Sequence, residues 1–157
     1  MKLYLVQHGE ALPGAEDPER PLSERGRQDV QALTEMLGAA GVRVARVWHS
    51  GKLRAGQTAA IIADGVCPRC RTEAIAGIKP DDSTAEFSQD VDVWEEDTLV
   101  VGHLPFMSRL VSRLVCGDPE QELVSYFPGS LVCLERSGEH RWRVLWMLHP
   151  DVFAVHE

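Results

Sequence analysis

The sequence is poor in three features that would each point to a different class of protein. No apolar run among its 157 residues approaches the ~20 residues that a membrane-spanning helix needs. Basic residues are in the minority, with 16 Lys and Arg against 24 Asp and Glu, and the formal net charge is -8. Nucleic acids and anionic membranes attract clustered basic residues, so neither is an expected partner. The chain opens on a strand-like run without a charged leader, which predicts a cytoplasmic protein.

Cysteine is also scarce, and four residues are too few for a disulfide scaffold in a chain of this length. Cys67 and Cys70 have the spacing of half a zinc site, but no second pair with that spacing follows. Cys116 and Cys133 are the remaining two. We therefore expect ordinary free thiols rather than structural zinc.

What the sequence does contain is an alternation of short apolar runs and amphipathic stretches. With 44% hydrophobic and 25% charged residues, it suits a single domain over 1–157. Polar residues 79–96 leave room for at most a short helix. The pattern predicts strands ending at 7, 48 and 101, a weak strand near 71–75, helices over 23–40, 51–65 and 105–117, and a hairpin of two β-rich runs over 130–135 and 142–148. This order is typical of an α/β fold with a mostly parallel central sheet and an antiparallel carboxyl-terminal hairpin.

Two histidines follow predicted strands in the same way. His8 comes directly after the first apolar run and precedes Gly9, while His103 follows Gly102 at the end of a later run. Open α/β sheets bind ligands in the crevice at the carboxyl ends of their strands. We therefore expect the two imidazoles to lie together in that crevice.

A third strand end favours an anion as the ligand. Ser50 follows the second strand and is predicted to cap a helix, whose first N–H groups favour negative charge. Arg54 lies one turn into that helix and carries a forked guanidinium suited to phosphate oxygens. Phosphoryl transfer requires positive charge around three oxygens and an in-line nucleophile, and an imidazole is substantially neutral near pH 7. One histidine could attack, and the other, if protonated, would bind the phosphoryl group.

A metal centre is the alternative for two histidines, but metallophosphatases add several Asp or Asn ligands. The strand ends here supply glycine and arginine instead, and arginine would repel a dication. We expect neither a metal nor another cofactor.

Four segments in order resemble the histidine phosphatase superfamily, and most of all its small SixA-type phosphohistidine phosphatases. They are residues 5–11, 20–26, 49–59 and 101–105, and the resemblance extends to about residue 148. It implies a three-layer α/β/α sandwich of the phosphoglycerate mutase-like type. It also implies that His8 is transiently phosphorylated, that Arg54 and His103 hold the phosphoryl oxygens, and that water then releases inorganic phosphate.

The expected phosphate pocket also includes Gln7, Gly9, Ser50 and Gly102. Arg20 either joins this pocket or pairs with neighbouring acidic residues on the surface. The resemblance further implies an open, shallow pocket, because no large helical insertion is present. Such a pocket suits a phosphorylated protein side chain.

Gln7 departs from the family pattern, which has arginine before the histidine. A neutral amide in place of a guanidinium costs about 1.5–3 kcal/mol of charge-assisted hydrogen bonding, or one to two decades in rate.

Three functions remain open at this point: a phosphohistidine phosphatase acting on a partner protein, a catalytically weakened module that binds phosphate or a phosphoprotein, and a phosphatase for small phosphoesters. The last requires an acid for the leaving group, and the candidates are Asp81, Asp82 and Glu86.

Overall fold

The computed structural model describes residues 1–154, which form a six-stranded sheet with helices on both of its faces. The strands are β1 (Lys2–Gln7), β2 (Arg46–His49), β3 (Glu73–Ala74), β4 (Thr98–Gly102), β5 (Leu131–Gly138) and β6 (Arg141–Leu148). The helices are α1 (Glu24–Ala39), α2 (Leu53–Val66), α3 (Thr84–Asp92), α4 (Phe106–Cys116) and α5 (Pro150–Phe153).

The sheet has the strand order β3-β2-β4-β1-β5-β6. β3, β2, β4 and β1 are mutually parallel, whereas β5 runs antiparallel to both β1 and β6. β1 and β4 pair in register from Leu3 with Thr98 to Gln7 with Gly102. Consequently the carboxyl ends of β2, β4 and β1 lie side by side at one edge of the sheet.

Side chains that alternate in direction along the buried strands divide the interior into two cores, one on each face of the sheet. In β1, Tyr4 and Val6 face one core with the apolar sides of α1 and α2, while Leu3 and Leu5 face the other with α3 and α4. Successive strand side chains point to opposite faces, so a continuous apolar run indicates a strand covered on both sides. The predicted three-layer α/β/α sandwich and phosphoglycerate mutase-like fold are confirmed.

The predicted elements are all present, with shifts of a few residues at their ends. Ser23 is the N-cap of α1 as expected, and its hydroxyl accepts the Gly26 N–H. Gly117 ends α4 in the left-handed conformation, with φ of 76°. The prediction that Ser50 caps α2 is wrong: the N-cap is Lys52, and its side chain makes no capping bond. Ser50 lies two residues before that position; its hydroxyl accepts the Lys52 N–H over 3.4 Å and lies 2.6 Å from a histidine nitrogen.

The cysteine prediction is wrong for one pair. Cys67 and Cys70 form a disulfide at the carboxyl end of α2, with their Cα atoms 5.3 Å apart. The turn that follows the helix brings the two residues together, since the Cys70 N–H donates to the Cys67 carbonyl. Cys116 and Cys133 are free thiols, as expected.

The described part of the chain, residues 1–154, has no helix long and apolar enough to cross a membrane. Residues 155–157 of the predicted domain lie outside the described range.

Candidate active site

Three neighbouring strand ends deliver the central side chains of the site. His8 follows β1, His103 follows β4 and Ser50 follows β2, and these strands are adjacent in the sheet. The His8 and His103 rings lie 4.9 Å apart between centroids. The backbone fixes this arrangement, because the His8 N–H donates to the Gly102 carbonyl over 3.1 Å. The crevice predicted from the two apolar runs is therefore present.

His8 is held in one tautomer. Its Nδ1 lies 2.7 Å from the carbonyl oxygen of Gly9. A carbonyl oxygen only accepts hydrogen bonds, so Nδ1 carries the proton and Nε2 keeps its lone pair. The residue is 9% exposed. His8 thus has a fixed ring with one unprotonated nitrogen, which is what a nucleophile requires.

His103 is buried more deeply and is held by a different contact. It is 2% exposed, and its Nε2 lies 2.6 Å from the Ser50 hydroxyl. Its Nδ1 is buried without a hydrogen-bond partner among the described residues. A buried polar nitrogen without a partner is costly and rare in stable proteins. In a crevice, such an atom is suited to bind a ligand.

Both imidazoles are neutral at pH 7. Burial lowers the pKa of His8 to about 4, and the charges of Arg54 and Arg20 act in the same direction. Burial lowers the pKa of His103 to about 3, with further contributions from His8, Arg54, Lys52 and Arg20. The condition stated for the second histidine, that it be protonated, is therefore not met in the protein without a bound anion. An anion placed between these groups would raise both values, because it offsets the repulsion.

Arg54 brings a permanent charge to the crevice from the first turn of α2. Its Nε is buried without a hydrogen-bond partner among the described residues, and burial lowers the pKa of its guanidinium. Thr58 anchors this turn to the histidine loop: its hydroxyl donates to the Arg54 carbonyl over 2.8 Å and accepts the Gly9 N–H over 3.0 Å.

Arg20 faces the site rather than its acidic neighbours. Its backbone has a φ of 50°, unusual for a residue with a side chain, and its Nε donates to the Leu12 carbonyl over 3.1 Å. Its charge lowers the pKa of both histidines and of Arg54. Within residues 1–154 no ion pair joins it to Glu19 or Glu24. The charge of Arg20 therefore acts on the site residues, and its binding of phosphate stays a prediction.

Gln7 is buried at the end of β1 and is 8% exposed. Its backbone is fully used, since its N–H donates to the Ser130 carbonyl and its carbonyl accepts the Gly129 N–H. Its Oε1 is buried without a partner in the described part of the chain. The residue that replaces the expected arginine therefore leaves a polar atom unsatisfied beside the catalytic candidates.

The two glycines beside the histidines are needed for packing. A Cβ on Gly9 would lie 2.8 Å from the Val30 side chain, and a Cβ on Gly102 would lie 2.4 Å from that of Met107. The backbone groups that could face a phosphate are already engaged, the Gly9 N–H with Thr58 and the Gly102 carbonyl with His8. Packing thus explains both glycines, and their part in phosphate binding stays a prediction.

The three candidate acids lie outside the central cluster. Asp81 and Glu86 are exposed, and the Asp82 carboxylate accepts the Lys79 N–H over 2.8 Å, which closes a local turn. Among the described residues no hydrogen bond or ion pair joins any of the three to the site histidines or to Arg54.

His49 is a residue of the site region that no sequence motif indicated. It is half-buried, and its Nδ1 accepts the N–H of Gly51 over 3.1 Å. Gly51 has a φ of 92°, a conformation open to glycine and strained for other residues. The bond folds the Ser50 loop back on β2, so His49 helps to place the hydroxyl that contacts His103. The only available signal was the position of His49 immediately before Ser50.

Comparison with known proteins agrees with this geometry. The model of the histidine phosphatase superfamily, branch 1, matches residues 3–75. The phosphohistidine phosphatase SixA of Escherichia coli strain K12 is 26% identical over 155 residues, covering 96% of this chain and 94% of its own.

Solved structures share the fold along almost the whole chain. The protein histidine phosphatase SixA complexed with tungstate superposes with a TM-score of 0.85 at 23% identity, covering 97% of this chain and 99% of its own. A putative alpha-ribazole-5'-P phosphatase from Escherichia coli has a TM-score of 0.74 at 18% identity and covers 96% of this chain and 98% of its own. A phosphoserine phosphatase mutant from Entamoeba histolytica, in complex with phosphoserine, has a TM-score of 0.74 at 14% identity and covers 96% of this chain and 98% of its own.

Proposed function

We propose that this chain is a phosphatase of the histidine phosphatase superfamily, which residues 3–75 match and to which its SixA relative is similar. On this premise it removes the phosphoryl group from phosphohistidine on a partner protein, through a phosphorylated His8. The observation that carries the proposal is the fixed tautomer of His8, whose Nε2 lone pair lies beside His103 and near Arg54.

In the first step, the lone pair of His8 Nε2 attacks phosphorus. A P–N bond to His8 forms while the P–N bond to the substrate imidazole breaks, and that imidazole leaves with the electron pair and takes up a proton. The Gly9 carbonyl supports this step, since it accepts a hydrogen bond from the Nδ1–H and stabilises the positive charge that develops on the ring.

In the second step, water attacks the phosphorus of phospho-His8. The P–N bond breaks, inorganic phosphate leaves, and His8 regains its neutral form. We propose that Arg54 binds phosphoryl oxygens in both steps and that the unpartnered Nδ1 of His103 donates a hydrogen bond to them. Ser50 supports this role, because it occupies the opposite nitrogen of the ring.

Arg20 compensates in part for Gln7. The family's arginine at position 7 is absent, yet the Arg20 charge reaches both histidines and Arg54. We propose that Arg20 and Lys52 supply the remaining positive charge and that Gln7 contributes a neutral hydrogen bond. Because these cations would repel a dication, we propose a reaction without a metal ion.

Phosphohistidine is favoured over a phosphoester by the position of the carboxylates. Ester hydrolysis gains from an acid that protonates the departing alkoxide, whereas an imidazole is a better leaving group. Among the described residues, Asp81, Asp82 and Glu86 make no hydrogen bond or ion pair with His8, His103 or Arg54. The relatives include proteins named for phosphohistidine, for alpha-ribazole-5'-phosphate and for phosphoserine. The small phosphoester therefore remains the alternative that the test must separate.

The test compares two substrates at equal concentration: a protein phosphorylated on histidine and a generic aryl phosphate. We expect phosphate release from the phosphohistidine protein to be faster by at least tenfold in kcat/KM. Rapid acid-free quenching and mass spectrometry should locate a transient phosphoryl group on His8. Faster turnover of the aryl phosphate would transfer the assignment to small esters, and binding of both without turnover would indicate the non-catalytic module.

A further inference from the structure

A groove begins beside the site, next to His103. It has a volume of about 620 Å³ and lies between the first two turns of α4 and the segment 119–126. We call it the α4 groove. Leu104, which lines it, directly follows His103. On the opposite side, segment 119–126 leads to Gly129, whose N–H donates to the carbonyls of Gln7 and His8. Both walls of the groove are therefore continuous with the site.

The backbone of one wall has unused hydrogen-bonding groups. The segment is fixed near its start by the Ser112 hydroxyl, which donates to the Gln121 carbonyl over 2.6 Å. It is fixed at its end by the Tyr126 hydroxyl, which donates to the Leu5 carbonyl over 2.9 Å. Between these points, residues 122–126 make no backbone hydrogen bond within residues 1–154. Unpaired N–H and C=O groups along a fixed segment can pair with an added extended peptide.

The side chains of the groove differ in charge from the site. Glu120 and Glu122 are exposed, and the groove's single arginine, Arg109, lies 3.7 Å from Glu120. Apolar surface accompanies them, since Leu104 is 36% and Leu123 41% exposed. The site therefore presents positive charge, and the groove beside it presents negative charge and leucine side chains.

From this juxtaposition we propose that the α4 groove binds the extended segment that flanks the phosphorylated residue of a protein substrate, and that it favours segments with an apolar residue and a Lys or Arg. The proposal rests on the proposed function for the nature of the substrate. The groove follows α4 from Pro105 to Ser112, about 10 Å at 1.5 Å per residue, which matches about three residues of extended chain. The basic residue should thus lie within about four positions of the phosphorylated one.

Binding is measured on the full chain by fluorescence anisotropy, with peptides that carry a non-hydrolysable phosphonate analogue of phosphohistidine. One peptide has Leu and Lys within four positions of the analogue, and its partner has Ser and Glu there. We expect the first to bind at least tenfold more tightly at low salt. The preference should fall as salt is raised, because exposed ion pairs are screened.

Two variants address the groove itself. Replacing both acids (Glu120→Gln with Glu122→Gln) should lower the affinity for the Lys peptide about 3- to 10-fold, as expected for two exposed ion pairs. Ser125→Trp should obstruct the groove and lower the affinity for both peptides. The matched control, Glu35→Gln with Asp64→Asn, makes the same change in net charge on α1 and α2 and should leave binding unaltered.

Turnover of the protein phosphorylated on histidine, measured on the same variants, separates this proposal from the proposed function. Equal affinity for the two peptides, or unchanged binding in both groove variants, overturns the docking proposal whether or not the protein hydrolyses phosphate. Sedimentation that shows a dimer broken by Ser125→Trp would also overturn it, since a second copy of the chain would then occupy the groove. Lack of turnover together with the expected peptide preference would overturn only the proposed function.

Discussion

Histidines in two regions of the molecule have pKa values shifted in opposite directions. In the crevice, His8 and His103 are buried beside cations, and their pKa values are lowered to about 4 and about 3. At the β5–β6 turn, His140 is exposed, with its Nδ1 2.5 Å from the Asp92 carboxylate, and this hydrogen bond raises its pKa. The neutral form of the side chain is thus favoured in one region, and the charged form is stabilised in the other. Burial and neighbouring charge, rather than residue type, determine the difference.

The turn histidine belongs to a structural network. Asp92 ends α3, and its second carboxylate oxygen accepts the Trp142 Nε1–H over 2.9 Å. Its carbonyl accepts a hydrogen bond from Arg136 over 2.7 Å. These contacts connect the hairpin to α3, and both carboxylate oxygens and the carbonyl oxygen of Asp92 accept hydrogen bonds in them. The crevice, in contrast, leaves atoms of Gln7, Arg54 and His103 without partners among the described residues. Unsatisfied polar atoms mark the region suited to bind a ligand.

The largest effect should come from removing one histidine in each region. His8→Ala eliminates the nucleophile, so phosphate release should fall by at least about a thousandfold. His140→Ala is the matched control and should retain activity within twofold. Initial rates of phosphate release measure both. Substantial turnover by the His8 variant would exclude the covalent route.

A smaller effect is expected from restoring the missing charge in the crevice. Gln7→Arg should raise kcat/KM about 10- to 100-fold, because a charge-assisted hydrogen bond is worth about 1.5–3 kcal/mol. The same substitution next to the network at the turn, Gln89→Arg, serves as the control. An unchanged or lower rate would mean that Arg20 already provides the charge that an arginine at position 7 would add.

The two regions should respond to pH with opposite signs. For His8 and His103 the folded-state pKa lies below the unfolded value near 6.5, so the unfolded chain binds more protons between about pH 6.5 and 4. Their contribution to stability is present above pH 6.5 and is lost on acidification across that window, on the order of 2 kcal/mol. For His140 the folded pKa is raised, so its contribution is present below pH 6.5 and is lost as pH rises.

Denaturant unfolding at several pH values checks this prediction. His8→Gln should flatten the loss of the free energy of unfolding between pH 6.5 and 4. His140→Gln should instead remove a loss that occurs at higher pH. If both variants follow the wild-type curve, the protonation states inferred for the two regions are wrong.

The smallest effect concerns His49, which lies near the crevice but outside its central cluster. Its own pKa is lowered by burial, which favours the neutral form that accepts the Gly51 N–H. His49→Ala should lower kcat about fivefold with little change in KM, since one hydrogen bond of about 1 kcal/mol that positions Ser50 is lost. His49→Asn retains an acceptor and should recover most of the rate. Equal losses in the two variants would count against a positioning role.

Several features of the site could be predicted because they depend on order along the chain. His8 and His103 each follow an apolar run, and parallel strands place such positions at one edge of the sheet. The role of Ser50 was misassigned because a serine before a helix is usually a cap, whereas here the adjacent strand brings His103 within reach of its hydroxyl. The disulfide of Cys67 and Cys70 depended on the turn after α2, and spacing alone did not distinguish it from free thiols.

The sequence by itself indicated an α/β fold and the residues at the strand ends, because hydrophobic alternation and the succession of strands and helices can be read along the chain. Only the tertiary structure decided which histidine nitrogen is free, that both imidazoles are neutral, that Arg20 faces the crevice, and that a groove with negative charge adjoins it. These properties depend on distances between segments and on the exclusion of water. Neither quantity exists until the chain has folded.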